Sequence, residues 1–312
     1  MVTNSAAHAA EAAKDRPVKR FRPGHLSNYM FVLPGVLFMV CFLVFPIVYN
    51  LLLSFQNVTL QNLKGAHEFV GWSNYSAVFK DELFGISFKN SAVFTGGSIA
   101  AQFLLGFVLA LFFNRKFPGR DILRSVMLLS WMMPIVITAT LFKWMLSGDH
   151  GVFNHILQSA GILDKPVFWL TEEKTALWGT VAANIWVGIP FNMVILLSGL
   201  QAMPDHLYEA AKIDGAGRLR QFASITLPLL RPTILVLLML GIIYTFKVFD
   251  LIFIMTGGGP VNASTVFPMY AYRLAFVNFE FSLGAAVSSV MFGVLIAFAA
   301  VYLWLTRKEE RL

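Results

Sequence analysis

The chain of 312 residues is 57% hydrophobic and only 13% charged, with a mean hydropathy of +0.68. Soluble chains of this length carry about 25% charged residues, so disordered, secreted disulfide-rich and ordinary cytosolic enzyme classes are excluded. The single cysteine, Cys41, cannot close an internal disulfide and is expected to be a buried small hydrophobe. A net charge of +7 would suit nucleic acid in a soluble protein, but its distribution along the chain gives it another meaning.

Residues 1–28 pass from an Ala-rich patch into a basic run and read as a flexible cytoplasmic tail near anionic headgroups. A bilayer-spanning helix needs about 20 mostly apolar residues. Six segments qualify: 29–53, 92–113, 125–145, 177–200, 233–255 and 283–305. The first is too long for a signal core and lacks a nearby small-residue cleavage site. None alternates as barrel strands do. The expected architecture is an all-α polytopic membrane domain over 29–305, with a short cytoplasmic tail at 306–312.

With both termini placed inside, the cytoplasmic segments hold 16 Lys and Arg and the outer loops 6, giving net charges of +8 and −2. This asymmetry is the positive-inside pattern, which accounts for the charge without nucleic acid.

Between crossings, the first outer loop is long enough for short helices, with Phe69, Trp72, Tyr75 and Phe79 as an interfacial aromatic belt. The second carries a predicted short helix near Val152, then Phe168, Trp169 and Leu170 as another interfacial cluster. His150 and His155 lack a convergent third ligand, so no metal site is expected. The third opens on Thr256-Gly-Gly-Gly-Pro260, which stops a helix abruptly. No Walker-type phosphate loop, Ser–His–Asp set or HExxH motif occurs, so the chain is expected to be neither an ATPase nor an intramembrane enzyme.

The cytoplasmic loop 201–232 predicts a helix after Pro204 that Asp205 caps or favours at its positive end, a turn at Gly215 and Gly217, and a second short helix before Pro228 and Pro232. Glu209, Lys212, Asp214, Arg218 and Arg220 would be exposed there, to another protein or at the lipid surface. Polar groups inside crossings are functional suspects because an unpaired one is costly. They are Asn184, Trp186 and Asn192 around Gly188 and Pro190, and Tyr244, Thr245, Lys247 and Asp250 in the fifth crossing. Lys247 and Asp250, three apart, would share a helix face as an ion pair, or Lys247 would face a pathway. Lys143 would snorkel to headgroups. Small residues in crossings two and six, among them Gly96, Gly106 and Gly284, would permit close packing.

The strings EAAKIDGAG, ITLPLLRP and FDLIFIMTGGGP, with FVGWSNYSAVF in the first outer loop, resemble the permease subunits of ABC sugar importers of the maltose/glycerol-3-phosphate class over nearly the whole chain. The resemblance implies the type I importer fold. It also implies two ATPase subunits that carry ATP and Mg, a second homologous permease, an extracytoplasmic binding protein and a bacterial inner-membrane location. By that resemblance, Leu207, Tyr208, Glu209, Ala210, Ala211, Ile213, Asp214, Gly215 and Gly217 form the helix that couples to the ATPase. Trp131, Ile135, Asn184, Gly188, Phe191, Tyr244 and Lys247, with Asp250 nearby, would line the sugar pathway. The implied cargo is a di- or oligosaccharide. Glycerol-3-phosphate or another phosphorylated polyol is the alternative within the class. An ion-coupled secondary transporter using Lys247 and Asp250 is the alternative outside it, disfavoured because six crossings show no internal repeat.

Overall fold

The computed structural model describes residues 26–65 and 67–309. The predicted N-terminal tail falls mostly outside this range, whereas residues 306–309 of the predicted C-terminal tail are helical and continue the last span. Two compact units are distinguished, one ending at Asn50 and one starting at Leu51.

In the first unit, α1 (Leu26–Met39) continues through a π-turn (Val40–Val44) into α2 (Phe45–Ser54), which ends in the second unit. Pro34 sits inside α1. Cys41 is exposed, which corrects the expected burial. An apolar position in a membrane span faces lipid or a partner as readily as a core, so composition does not decide burial there.

The second unit begins with a two-residue antiparallel pairing of β1 (Gln56–Asn57) and β2 (Glu68–Phe69), followed by α3 (Ser73–Lys80). The aromatics predicted as a belt divide here. Tyr75 is buried and shares a 2.7 Å hydrogen bond with Ser54 Oγ, while Phe69, Trp72 and Phe79 remain exposed.

The spans follow as α4 (Glu82–Asn114), α5 (Arg120–Met132), α6 (Ile135–Met145), α8 (Ala176–Gln201), α11 (Leu227–Phe246) and α14 (Phe281–Glu309). Shorter helices lie between them: α7 (Val152–Ser159), α9 (Asp205–Ile213), α10 (Arg218–Gln221), α12 (Asp250–Met255) and α13 (Phe267–Tyr272). Among the described residues five helices are long and apolar enough to cross a membrane, or six if α5 and α6 make one span.

Two expected crossings are broken. The third bends by 92° between α5 and α6. Met133 is extended (φ −65°, ψ 136°), as the residue before a proline prefers, and Pro134 starts the next helix. The fifth stops at Phe246 and resumes at Asp250. No proline or glycine marks this break; packing explains it. Phe246 is buried with Tyr75, Phe267 and Tyr270, whereas Leu251, Ile252 and Met255 join Phe142, Leu177 and Met269 in a different core. A third core, with Phe113, Met193, Leu196 and Leu237, ties α4, α8 and α11 together toward the α9 end.

Other expectations are corrected locally. The second cytoplasmic helix is not separate, because α10 runs through a π-turn (Phe222–Thr226) directly into α11. Lys143 Nζ donates to the Ile254 carbonyl at 2.9 Å, fastening α6 to α12 rather than simply reaching for headgroups. Trp169 donates to Asn154 Oδ1 at 2.8 Å, and with Leu170 packs on the core instead of forming a purely interfacial patch.

Candidate functional site: a mid-span cavity and a projecting helix

A cavity of about 510 Å³ lies where α4, α5, α6, α8 and α11 meet. Both chain breaks border it, since Trp131 and Ile135 flank the α5–α6 bend and Val248 lies in the gap after α11. Six of the eight predicted pathway residues line it: Trp131, Ile135, Asn184, Gly188, Phe191 and Tyr244. Trp131 and Phe191 stack with centroids 5.7 Å apart, and Tyr244 meets Phe191 edge-on at 6.3 Å and 88°. These faces are apolar platforms, and Asn184, Asn192, Thr245 and Gln102 add polar groups beside them. Such a mixture suits a ligand with both C–H faces and hydroxyls.

Lys247 and Asp250 do not line the cavity. Both are exposed, and the ion pairs found among the described residues join Asp121 to Arg120 and Arg124 instead. The break after Phe246 removes the continuous helix that their predicted pairing required. Lys247 Nζ instead sits 5.1 Å from the centroid of the Tyr244 ring, a cation–π contact.

Gln102 is the residue the pathway reading missed. It is buried, and its Nε2 donates to the Asn184 carbonyl at 2.8 Å. The available signal was an uncharged amide in the middle of an otherwise apolar span, the kind of group that is costly in hydrocarbon without a partner.

The second candidate feature is α9. Pro204, not Asp205, is its N-cap; Asp205 sits in the first turn and Lys212 in the last, both favourable to the helix dipole. The helix closes on a Schellman motif, in which Gly215 N–H donates to the Lys212 carbonyl and Ala216 N–H to the Ala211 carbonyl. Gly215 occupies the left-handed region at φ +75°, which explains the glycine, whereas Gly217 is extended and does not need to be one.

Leu207, Tyr208 and Ala211 are half-buried against the chain, while Glu209, Ala210, Ile213 and Asp214 are exposed. Tyr208 Oη lies 3.0 Å from Thr226 Oγ1 and donates to Met203 Sδ at 3.1 Å, so it anchors α9 to the base of the α11 span. Ile213 and Leu219 are 86% and 82% exposed. Two large aliphatics this exposed stand in the same stretch as the exposed Glu209, Lys212, Asp214, Arg218 and Arg220, so the projecting surface is apolar with charges of both signs. A groove of about 600 Å³ is lined by Tyr208, Glu209 and Lys212 together with Asn114, Lys116 and Arg120.

Residues 102–311 match the family of binding-protein-dependent transport system inner membrane components. The chain belongs to this family. It is 36% identical over 285 residues to the trehalose/maltose transport system permease protein MalF of Thermococcus litoralis, covering 91% of this chain and 94% of that one. It is 32% identical to the diacetylchitobiose uptake system permease protein DasB of Streptomyces coelicolor, with 93% and 89% covered. Its fold also matches the crystal structure of a bacterial ABC transporter involved in the import of the acidic polysaccharide alginate. The TM-score is 0.78 at 25% identity, with 91% and 96% of the two chains covered. The chain is thus an all-α, multi-pass membrane permease subunit of the type I ABC-importer fold. Among the described residues no group of three or more His, Cys, Asp or Glu is placed to hold a metal.

Proposed function

We propose that this permease forms half of the translocation pathway for a neutral di- or oligosaccharide, delivered by an extracytoplasmic binding protein to the outer side of a bacterial inner membrane. A second homologous permease completes the pathway. Two ATPase subunits, holding ATP and Mg, dock on the α9 face and supply the energy. Both termini are cytoplasmic in this reading, as the distribution of Lys and Arg supports.

The observation that carries the substrate reading is the cavity in which Trp131, Phe191 and Tyr244 stand beside the amides of Asn184, Asn192 and Gln102. Aromatic faces cover the C–H face of a pyranose and amides meet its hydroxyls. The names of two relatives, for trehalose/maltose and diacetylchitobiose, are consistent with such cargo, whereas the matching crystal structure is of an importer of an acidic polysaccharide. Docking through α9 is supported by the exposed Ile213 and Leu219 and by the rigid end that Gly215 gives the helix. Tyr208 then acts as the internal strut that carries movement of α9 into α11.

The test is purification of the tagged permease with its partners, followed by uptake assays in proteoliposomes with radiolabelled trehalose, maltose, diacetylchitobiose and glycerol-3-phosphate. Stoichiometric recovery of an ATPase and a second permease, with ATP-dependent uptake of a saccharide, is expected. Uptake driven by a proton or sodium gradient without ATP would refute the assignment.

A further inference from the structure

We infer that Gln102 is a specificity-determining residue of the cavity, locking its α8 wall in register and offering an acceptor to a neutral, hydroxyl-rich ligand; this rests on the saccharide reading above. α4 and α8 interlock at two close contacts, the Gln102 amide against Gly188 and Gly106 against the Cβ and backbone of Asn192. The Gln102 amide occupies the space over Gly188, where a Cβ would stand 2.2 Å from its Cδ. Four residues further along, the glycine is on α4: a Cβ on Gly106 would stand 2.6 Å from Asn192 Cβ.

Both amides donate to carbonyls of α8, Gln102 across the seam from α4 and Asn192 back along its own helix. Gln102 Nε2 donates to the Asn184 carbonyl at 2.8 Å, and Asn192 Nδ2 donates to the Gly188 carbonyl at 2.9 Å. Flipping either amide would set oxygen against carbonyl oxygen, so the orientation is decided by chemistry. Each side chain therefore commits a donor to α8 and keeps its oxygen as an acceptor on a residue that lines the cavity. Packing alone would be served by Leu or Met, without the cost of placing an amide in the span.

Beside this pair, Asn184 Nδ2 is buried and has no hydrogen-bond partner, although its residue lines the same cavity. The wall thus pairs one unused donor with amide acceptors. A hydroxyl both donates and accepts, and satisfies the two together. A phosphate dianion brings no proton to the amide oxygens and meets them as like partial charges, so a phosphorylated polyol can satisfy them only through its few remaining hydroxyls. Lys247, the cation that could offset this, lies outside the lining and over the Tyr244 ring. The arrangement therefore selects a neutral polyhydroxyl ligand over a phosphorylated one.

The test uses the complete complex with its partner permease, ATPases and binding protein in proteoliposomes, with trehalose, maltose, diacetylchitobiose and glycerol-3-phosphate as probes. Gln102→Met fills the notch over Gly188 without polar atoms. It should still assemble, but should lower saccharide uptake per assembled complex at least tenfold without lowering glycerol-3-phosphate uptake, so that selectivity collapses. The double variant Gln102→Ala/Gly188→Ala refills the space from the other side and should recover assembly but not selective uptake. Wild-type saccharide uptake and selectivity in Gln102→Met, with the parent complex transporting saccharide, would overturn the inference alone. Failure of the parent complex to take up any of the three saccharides would overturn the saccharide reading and this inference with it. A Gln102→Met variant that fails to assemble leaves the double variant to decide: saccharide selectivity restored there makes Gln102 a packing residue only.

Discussion

Gly106→Ala and Gly96→Ala add the same methyl group to the same helix, and the structure assigns them opposite outcomes. At Gly106 the new Cβ would lie 2.6 Å from Asn192 Cβ and 3.0 Å from the Met193 backbone nitrogen. Backbone cannot rotate away as a side-chain tip can, and carbon contacts settle near 3.5–4.0 Å, so α4 and α8 must part by about 1 Å. Such overpacking costs about 1–3 kcal/mol. The same movement stretches the 2.8 Å Gln102–Asn184 bond beyond hydrogen-bonding range, which costs about 1 kcal/mol more. Helix propensity returns roughly 1 kcal/mol for replacing glycine in a helix interior. At Gly96 nothing lies within 4 Å of the added methyl, so only the propensity gain remains. The two variants should therefore differ by about 2–4 kcal/mol, or on the order of 10 °C in melting midpoint for a chain of this size. The comparison is read from thermal unfolding of the purified permease in detergent, followed by size-exclusion chromatography with fluorescence detection. Coincident midpoints would refute the interlocked seam and, with it, the packing basis assigned to Gln102.

Tyr208→Phe removes the hydroxyl shared with Thr226 and Met203; it should cost about 1 kcal/mol in stability and reduce transport per ATP hydrolysed while the subunits still co-purify. Glu209→Lys reverses an exposed charge on α9 and should weaken recovery of the ATPase subunit without changing membrane insertion, as measured by pull-down and carbonate extraction. Tyr270 in α13 donates a hydrogen bond to Oδ2 of Asp81, the residue that caps α4, and burial first, then the Asp81 carboxylate, push its pKa well above the ordinary value of 10.0. Because the folded state holds the phenol proton more tightly, this stabilisation is complete below pH about 10 and drains away as pH rises above it. Tyr270→Phe should therefore lower the midpoint at pH 8 and flatten its fall from pH 10 to 11; an unchanged alkaline slope would count against the bond. In a Cys41→Ser background, cysteines at the exposed Ser76 and Thr171 should react with an impermeant thiol reagent from outside, and those at Lys116 and Arg218 only after permeabilisation. The reverse pattern would invert the orientation.

The membrane character, most of the spans and the helix α9 were legible because each is written in contiguous residues. Twenty apolar side chains specify a crossing whatever lies beside them, and Gly215 announces a left-handed turn at the end of α9 by its lack of a Cβ. Pro134 offers a local signal for the α5–α6 break, but composition reads 125–145 as one crossing, and the 92° bend depends on what packs on either side. Most of the cavity lining came from family resemblance and from polar residues inside spans. The rest depends on pairs distant in sequence: Gln102 with Asn184 and Gly188, Lys143 with the Ile254 carbonyl, Tyr208 with Thr226. The gap between Phe246 and Asp250 belongs to the same class, because no residue there breaks a helix by itself. It forms because Phe246 and Leu251 are buried in separate cores that one straight helix would not reach. Local composition and periodicity determine which segments become helices in a membrane. Which faces meet, and so which polar groups share a cavity, is decided by side-chain volume and hydrogen bonding between segments, and that is settled only when the helices pack.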